Sequence, residues 1–285
     1  MKKLNTNFFI DLKKLGFPYE EASIEERKQI IQVINEKLSY TKEKPNHFQW
    51  NDYWSEIKQN KTKIPSFFNK TQNKEINIFY RYKNKFIKSD KENLPAEIIH
   101  NNIKDVIDYI KKLNGSDIDT IIEFGCGNGH NLEYIKKHKI VKNIYACDFS
   151  NSAVEMAKEN GFNSFEFDMI EPSIEKITNL NIDTNKCIFF TSGSLEQLGK
   201  KWKKFFKFIK SSGAKYIFHI EPIKEFYSKS KKIENLALQF HNKKKYLDGY
   251  FSYLKKQNHF NIIYSKSDFG TLFDQGFNTI ILIKK

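Results

Sequence analysis

Arginine is almost absent from this sequence. Arg27 and Arg81 are the only two among 48 basic residues, and the rest are lysines. The formal net charge is +14, which suits an anionic partner such as nucleic acid or a small anionic substrate. Proteins that read base sequence rely on the two parallel hydrogen bonds that arginine can donate. The shortage of arginine therefore disfavours nucleic acid and leaves a small anionic substrate open.

Cysteine and long apolar runs are also scarce. Cys126, Cys147 and Cys187 are spaced neither as zinc ligands nor as a disulfide framework, so we expect buried thiols and no metal site. No apolar stretch reaches membrane-spanning length and no signal peptide is visible, which predicts a cytoplasmic protein. The 285 residues, 39% hydrophobic and 15% aromatic, suffice for one large domain with an extension.

The most informative stretch is 120–148, TIIEFGCGNGHNLEYIKKHKIVKNIYACD. A short apolar run leads to Gly125, Gly127 and Gly129, and a helical pattern follows. A second apolar run ends at Asp148, nineteen residues after Gly129. Strand, glycine turn, helix, strand and acid is the layout of a nucleotide-binding βαβ unit. In such a unit the glycines let the ligand approach the backbone, and the acid accepts hydrogen bonds from ribose hydroxyls.

Two details separate this unit from a dinucleotide site. His130 stands where the dinucleotide fingerprint has Gly or Ala, and Glu123 precedes the first glycine by two residues. The resulting E-x-G-x-G-x-G pattern resembles motif I of the class I methyltransferases that use S-adenosylmethionine. The resemblance covers about residues 96–285 and implies S-adenosylmethionine as cofactor and S-adenosylhomocysteine as product. A plain structural turn and an NAD site are the alternatives.

The same resemblance assigns cofactor contacts to residues at the ends of the predicted strands. It implies that Asp168 accepts from the adenine amine and that Met169 contacts the adenine ring. Arg81 is a candidate for holding the carboxylate of the methionyl moiety or an anionic substrate group, and a surface ion pair is the equal alternative. The predicted cofactor-binding residues are Arg81, Glu123, Gly125, Cys126, Gly127, Asp148, Phe149, Asp168, Met169, Ser192 and Gly193.

Two further segments indicate where the methyl acceptor binds. TSGSLEQL, after the fourth predicted strand, corresponds to motif IV and resembles the S-x-L-E-H-[IL] segment of many small-molecule O-methyltransferases, with Gln197 where His often stands. HIEP, after the fifth, places His219 and Glu221 on one side of an extended segment. We predict His219 as a catalytic base for a hydroxyl and Glu221 as its catalytic partner, with a satisfied buried pair as the alternative. The predicted substrate-binding residues are Glu196, Gln197, His241 and Tyr246.

The predicted fold is α/β. The resemblance implies a seven-stranded, mostly parallel sheet with helices on both faces and an antiparallel terminal hairpin over residues 96–285. An insertion at 224–259 carries a helix predicted over about 233–254. Residues 1–95 would form a helical, aromatic-rich cap, in which Ser23 and Glu26 predict a capping box for a helix at 24–38.

Together these features predict an S-adenosylmethionine-dependent methyltransferase. It would move a methyl group to a hydroxyl by direct displacement, with general-base help and without a metal. The layout with TSGSLEQL and HIEP resembles bacterial methyltransferases of surface-polysaccharide biosynthesis. This implies a small acceptor such as a sugar, a sugar nucleotide or a phosphorylated or phosphoramidate-bearing glycan precursor. An RNA methyltransferase and a cofactor-binding protein without catalysis are the alternatives.

Overall fold

The computed structural model describes residues 2–3, 11–41, 47–60, 78–91, 94–114, 118–273 and 276–285. The helices are α1 (Ile24–Tyr40), α2 (His47–Asn60), α3 (Leu94–Asn114), α4 (His130–Lys137), α5 (Asn151–Glu159), α6 (Glu175–Thr178), α7 (Trp202–Ser211), α8 (Lys232–Lys244) and α9 (Tyr250–Leu254). The strands are β1 (Lys2–Lys3), β2 (Glu20–Glu21), β3 (Phe79–Tyr82), β4 (Lys85–Lys88), β5 (Thr120–Phe124), β6 (Asn143–Asp148), β7 (Asn163–Glu166), β8 (Cys187–Ser192), β9 (Tyr216–Glu221), β10 (Phe260–Ser265), β11 (Phe269–Gly270) and β12 (Asn278–Lys284).

The main sheet has the strand order β1-β10-β12-β9-β8-β5-β6-β7. The five strands from β9 to β7 in that order run parallel, whereas β12 is antiparallel to both of its neighbours. These seven strands, β10 to β7, form the predicted mostly parallel sheet with its antiparallel terminal hairpin. The two-residue β1 adds a parallel edge beside β10. The predicted fold class is confirmed.

Successive residues of the central strand β5 face two different cores. Ile122 and Phe124 pack in a cluster with Phe205 of α7, whereas Ile121 packs in a second cluster with Ile103 of α3. This alternation follows from the two-residue period of a strand. Helices therefore cover both faces of the sheet, as a parallel sheet requires.

The N-terminal region contains a β-hairpin in addition to the predicted helices. Tyr82 of β3 lies opposite Lys85 of β4, and both loop residues, Lys83 and Asn84, have positive φ, as in a type I′ turn. β11, from the C-terminal part of the chain, pairs with β3. A second sheet, β11-β3-β4-β2, thus crosses the predicted boundary at residue 95, and the division into two regions stays a prediction.

Two local predictions had opposite outcomes. The capping box is present, because Ser23 Oγ accepts from the Glu26 amide and Glu26 Oε2 accepts from the Ser23 amide. The single helix at 233–254 is wrong. α8 ends and α9 begins around Lys245 and Gly249, which both have positive φ, a conformation that interrupts a right-handed helix.

Helices of membrane-spanning length and apolarity are absent from the part of the chain that the structure describes.

Candidate active site

A cavity of about 410 Å³ opens at the carboxyl ends of β5, β6, β8 and β9, where ligands bind in open α/β sheets. Its wall combines the glycine loop (residues 125–129), the β8 loop (residues 192–198) and aromatic side chains from the N-terminal region. The predicted site residues that line it are Glu123, Gly125, Cys126, Gly127, Asp148, Phe149, Met169, Ser192, Gly193, Glu196, Gln197 and Tyr246.

The glycine loop is packed tightly against the rest of the protein. Gly125 and Gly127 have φ of +74° and +56°, which favour glycine. The Gly125 amide donates to the Cys147 carbonyl at 2.8 Å and so ties the loop to β6. A Cβ on Gly125 would lie 2.4 Å from Ser194 Cβ, and one on Gly127 would lie 2.4 Å from Trp54 Cζ2. These glycines are therefore required by protein packing as well as by any ligand.

Glu123 presents a buried carboxyl to the cavity. Its side chain is only 1% exposed, and Oε1 accepts from Asn131 Nδ2 at 2.7 Å. Oε2 has no hydrogen-bond partner among the described residues. Burial raises the pKa of Glu123 to about 8, the Asn131 hydrogen bond opposes this, and the charges of Asp148 and Glu221 add to it. Such a group would be stabilised as a carboxylate by a cationic ligand.

Asp148, at the end of β6, is held rigidly at the cavity wall. Oδ2 accepts from the Gly127 amide at 2.9 Å and Oδ1 accepts from the Ser150 amide at 3.0 Å. Burial raises the pKa of Asp148, and these amide hydrogen bonds oppose the shift. Each carboxylate oxygen has two lone pairs, so Asp148 keeps capacity for hydroxyl donors from a ligand.

α2 covers the glycine loop and places Trp54 against Gly127, in the wall of the cavity. The helix is fixed to the start of α5, where Asn51 Oδ1 accepts from Ser150 Oγ at 3.0 Å. The sequence pattern favoured a core role for the aromatic residues of this region. Trp54 is buried in a small cluster with Ile57 and also borders the site, so it has both roles.

Some wall residues were not singled out in the sequence. Tyr80 of β3, Thr271 and Phe277 all line the cavity. They belong to segments that the β11–β3 pairing brings to the carboxyl end of the sheet. Only the high aromatic content around Tyr80 could have indicated its role, because the pairing joins residues far apart in the chain.

The β8 loop contributes the polar part of the wall away from the glycine loop. Gln197 Nε2 donates to Glu196 Oε1 at 2.8 Å, and Gln197 Oε1 has no hydrogen-bond partner within the described part of the chain. At Gly193, with φ of +62°, an added Cβ would meet no atom within 4 Å. The loop thus offers both carboxylate and amide oxygens next to open space.

His219 does not reach the cavity, and its predicted role as a base is wrong. The side chain is fully buried, with Nδ1 2.8 Å from Thr191 Oγ1 and Nε2 2.8 Å from the Tyr250 hydroxyl. Burial lowers the pKa of His219 to about 3. Because both ring nitrogens form hydrogen bonds inside the protein, His219 is a buried structural residue.

Glu221 is also fully buried and is not among the described lining residues, so its predicted role as the catalytic partner of His219 is wrong. Oε1 accepts from the amides of Ser194 and Leu195 at 3.2 and 3.1 Å, and Oε2 accepts from the Glu196 amide at 3.2 Å. Burial raises the pKa of Glu221 to about 7, although these hydrogen bonds and one from Thr191 oppose the rise. Glu221 therefore stabilises the backbone of the β8 loop from inside the protein.

Arg81 lies outside the cavity wall, contrary to the prediction that it binds a carboxylate there. Its side chain is fully buried. Nε donates to the Leu272 carbonyl at 2.6 Å, and Nη1 donates to the Ile233 carbonyl. The guanidinium thus joins β3 to the segment after β11 and to α8, which is a structural role.

Two more predicted site residues are not among the described residues that line the cavity. Asp168 Oδ1 accepts from the Ile170 amide at 2.7 Å, which makes it the acid of a tight turn. His241 is fully buried in α8 with Nε2 3.4 Å from the Tyr227 hydroxyl. The buried position of His241 does not support the predicted contact with a substrate. The contact of Asp168 with adenine stays a prediction, since its neighbours Phe167 and Met169 both line the cavity.

The charge of the cavity is opposite to that of the whole chain. Glu123, Asp148 and Glu196 line it, and no lysine or arginine is among its described lining residues. Within the same described ranges, no three His, Cys, Asp or Glu side chains are placed to hold a metal ion. The wall therefore favours cationic or neutral groups over anionic ones.

Residues 121–213 match the family model described as a methyltransferase domain. The match supports the predicted methyltransferase class and is consistent with S-adenosylmethionine as the methyl donor. It does not distinguish methyltransferases of polysaccharide biosynthesis from others. No curated protein matches the sequence.

Several solved structures are similar to this chain. The plantazolicin methyltransferase BpumL in complex with SAH is 13% identical, with 90% of this chain and 100% of that chain covered and a TM-score of 0.48. The methyltransferase domain of bacterial-CtHen1-CN is 14% identical, with 64% and 98% covered and a TM-score of 0.46. Magnesium protoporphyrin IX methyltransferase from Synechocystis PCC 6803 with bound SAH is 12% identical, with 69% and 90% covered and a TM-score of 0.44.

Proposed function

We propose that this protein transfers the methyl group of S-adenosylmethionine to a hydroxyl of a small polar acceptor bound in the cavity. The main observation behind the proposal is that the residues suited to the cofactor and the residues suited to the acceptor line the same cavity. Two buried carboxyls suited to the cofactor, Glu123 and Asp148, line the same cavity as the polar β8 loop. Donor and acceptor can thus be held in one water-poor space, which is the main requirement of a direct displacement.

The residues present fit the cofactor. Oε2 of Glu123, which has no hydrogen-bond partner among the residues that the structure describes, is suited to the ammonium group of the methionyl moiety. That positive charge would lower the raised pKa of the carboxyl. Asp148, oriented by the amides of Gly127 and Ser150, is suited to the ribose hydroxyls. Met169 and Phe149, which line the wall, offer apolar contacts to the adenine. When bound, the cofactor supplies a methyl group on a positively charged sulfur, and the carbon–sulfur electron pair stays on sulfur after displacement.

Glu196 replaces His219 as the proposed general base. It lines the cavity directly after β8, and the Gln197 amide donates to one of its oxygens, which orients the carboxylate. As the acceptor oxygen bonds to the methyl carbon, its proton passes to Glu196 and then to solvent. Gln197 Oε1, which has no partner in the described structure, can accept from a second acceptor hydroxyl.

For the acceptor itself we propose a sugar, a sugar nucleotide or another surface-glycan precursor. The resemblance of the β8 loop to the S-x-L-E segment of small-molecule O-methyltransferases supports this class. Since the described wall carries acids and no lysine or arginine, we favour uncharged members over phosphorylated or phosphoramidate-bearing ones. The same charge pattern disfavours RNA, whose phosphates are bound mainly by basic side chains.

The test is transfer of isotopically labelled methyl from S-adenosylmethionine to four acceptor sets: neutral sugars, sugar nucleotides, phosphorylated sugars and RNA. We expect the strongest transfer to neutral sugars and weaker transfer to sugar nucleotides and phosphorylated sugars, which both carry phosphate. Label on RNA, with binding that weakens steeply as salt rises, would favour the RNA alternative. Cofactor binding without transfer to any set would favour the non-catalytic alternative.

A further inference from the structure

A chain of buried side-chain hydrogen bonds runs behind the β8 loop. The Tyr250 hydroxyl lies 2.8 Å from His219 Nε2, and His219 Nδ1 lies 2.8 Å from Thr191 Oγ1. Thr191 in turn hydrogen-bonds the Glu221 side chain. All four residues are at most 1% exposed, so the chain is shielded from solvent and belongs to the interior of the protein.

Glu221 is the end of this chain that touches the loop. Its two oxygens accept from three consecutive backbone amides, those of Ser194, Leu195 and Glu196. These amides begin the short 3-10 helix Leu195–Leu198, where backbone N–H groups lack partners within the helix. One of them belongs to Glu196 itself, so Glu221 fixes the backbone from which the proposed base projects.

The hydrogen bonds have one consistent direction. Because burial lowers the pKa of His219 to about 3, the imidazole is neutral and has one donor and one acceptor nitrogen. The Thr191 hydroxyl donates to the Glu221 carboxylate, so Thr191 Oγ1 accepts from His219 Nδ1–H. His219 Nε2 then accepts from the Tyr250 hydroxyl. Each bond polarises the next, and the series ends on a carboxylate.

The other end of the chain lies in the insertion (residues 224–259). Tyr250 is the first residue of α9, and the backbone just before it contacts the β8 loop directly. The Leu247 amide donates to the Glu196 carbonyl at 3.0 Å, and the Asp248 amide donates to the Gly199 carbonyl at 3.2 Å. The position of the insertion and the position of the loop are thus linked twice, by backbone and by side chains.

We propose that Glu221 is a positioning residue for methyl transfer, and that Tyr250, His219 and Thr191 keep it a carboxylate that holds the β8 loop in its reactive geometry. The proposal rests on the proposed function only for the statement that this loop borders the reacting atoms. Protonation of Glu221 would turn one acceptor oxygen into a donor facing backbone N–H groups, and the loop would have to shift.

A pH dependence follows from this arrangement. Glu123 from β5 and Tyr250 from α9 interact electrostatically with Glu221. Thr191 from β8 hydrogen-bonds its side chain, and His219 from β9 is linked to it through Thr191. Burial favours the protonated acid, whereas the Thr191 hydroxyl and the three loop amides favour the anion. Since the anion is the form that holds the loop, turnover should fall as pH drops through the pKa of Glu221. Removing the Thr191 hydroxyl should move that fall to higher pH.

The first test compares Thr191→Val with Thr279→Val. Thr279 is a matched control, because it is a buried threonine on the neighbouring β12, opposite Ile220, and its Oγ1 has no partner among the described residues. We expect Thr191→Val to move the acidic limb of kcat upward by about half to one pH unit and to leave the Kd for S-adenosylhomocysteine within about two-fold. Thr279→Val and the hydroxyl-retaining Thr191→Ser should keep the wild-type limb. An unmoved limb in Thr191→Val, or an equal shift in Thr279→Val, would overturn the proposal.

The second test needs no acceptor and therefore separates this proposal from the proposed function. Hydrogen exchange of the amides of 194–196 is measured at several pH values, after correction for the intrinsic pH dependence of exchange. We expect protection to be lost as pH falls below about 7 in the wild type and at higher pH in Thr191→Val, and about ten-fold less protection in Tyr250→Phe. Protection that is the same in all variants at all pH values would reject the positioning role even if methyl transfer is demonstrated.

Discussion

Oε2 of Glu221 accepts a hydrogen bond from the backbone amide of Glu196 at 3.2 Å. The two acids have different environments, since Glu221 is fully buried and Glu196 lines the cavity with 8% of its surface exposed. One carboxylate therefore organises the backbone, while the other lines the cavity. We therefore propose that Glu196 takes the proton from the acceptor and that Glu221 positions the loop that carries Glu196.

Glu196→Gln should abolish most of the turnover and leave cofactor binding intact. The amide cannot take a proton from the acceptor hydroxyl, and loss of a general base typically costs about 10²- to 10⁴-fold in rate. Steady-state kinetics and calorimetry with S-adenosylhomocysteine measure the two effects separately. Glu159→Gln, an exposed change on α5, is the control and should match the wild type. A Glu196→Gln enzyme with wild-type kcat would remove Glu196 from the mechanism.

Glu221→Gln should lower both stability and turnover. The new amide group places N–H donors toward the backbone amides of the β8 loop, and a buried donor left without an acceptor costs about 1–3 kcal/mol. Denaturant unfolding at pH 8, where the wild-type acid is ionised, measures the stability change. Unaltered unfolding together with unaltered kcat would show that the three amide hydrogen bonds contribute nothing.

Glu123→Gln should stabilise the ligand-free protein at alkaline pH while weakening cofactor binding. The pKa of Glu123 is raised by burial from an unfolded value of 4.5 to about 8, so between these values the folded state binds the extra proton. Stability from this group is thus present at low pH and is lost as pH rises toward 8. Above pH 8 we expect the variant to be more stable than the wild type by about 1–3 kcal/mol. Parallel stability curves for the two proteins from pH 6 to 9 would contradict this.

Trp54→Ala should weaken cofactor binding beyond its effect on stability. The ring packs on Gly127 and lines the cavity, so its loss opens the site and also costs about 3–5 kcal/mol of core packing. Ile57→Ala is the matched control, since Ile57 lies in the same cluster but outside the cavity wall. Only Trp54→Ala should raise the Kd for S-adenosylhomocysteine. Equal effects of both variants on binding would assign Trp54 to the core alone.

The features that could be predicted from the sequence are those that depend on residues close together in the chain. The β5–glycine–α4–β6 unit and the Ser23–Glu26 capping box depend on residues close together in the chain, so their patterns were sufficient. The role of His219 depends on Thr191 and Tyr250, which lie 28 and 31 residues away. No periodicity encodes such partners, and a histidine at a strand end looks the same whether it points to a ligand or into the core.

The charge of the site could not be predicted from the composition either. The net charge of +14 suggested an anionic acceptor, yet the described cavity wall contains three acids and no lysine or arginine. The net charge sums over the whole chain, whereas the charge of the site depends on which residues the strand ends bring together. The pairing of β11 with β3 was missed because it joins distant parts of the chain. The β3–β4 hairpin is local, but its loop Lys83-Asn84 lacks the Asn-Gly or Asp-Gly sequence that typically marks such a turn.

The central claim is that the cavity binds S-adenosylmethionine through Glu123 and Asp148. Calorimetric titration with S-adenosylhomocysteine tests it most directly, with NAD as comparator and with Asp148→Ala and Glu123→Gln as variants. The account predicts binding of S-adenosylhomocysteine that is clearly tighter than that of NAD and at least about ten-fold weaker in each variant, equivalent to about 1.4 kcal/mol. Absence of binding by the wild type, or a preference for NAD, would contradict the account.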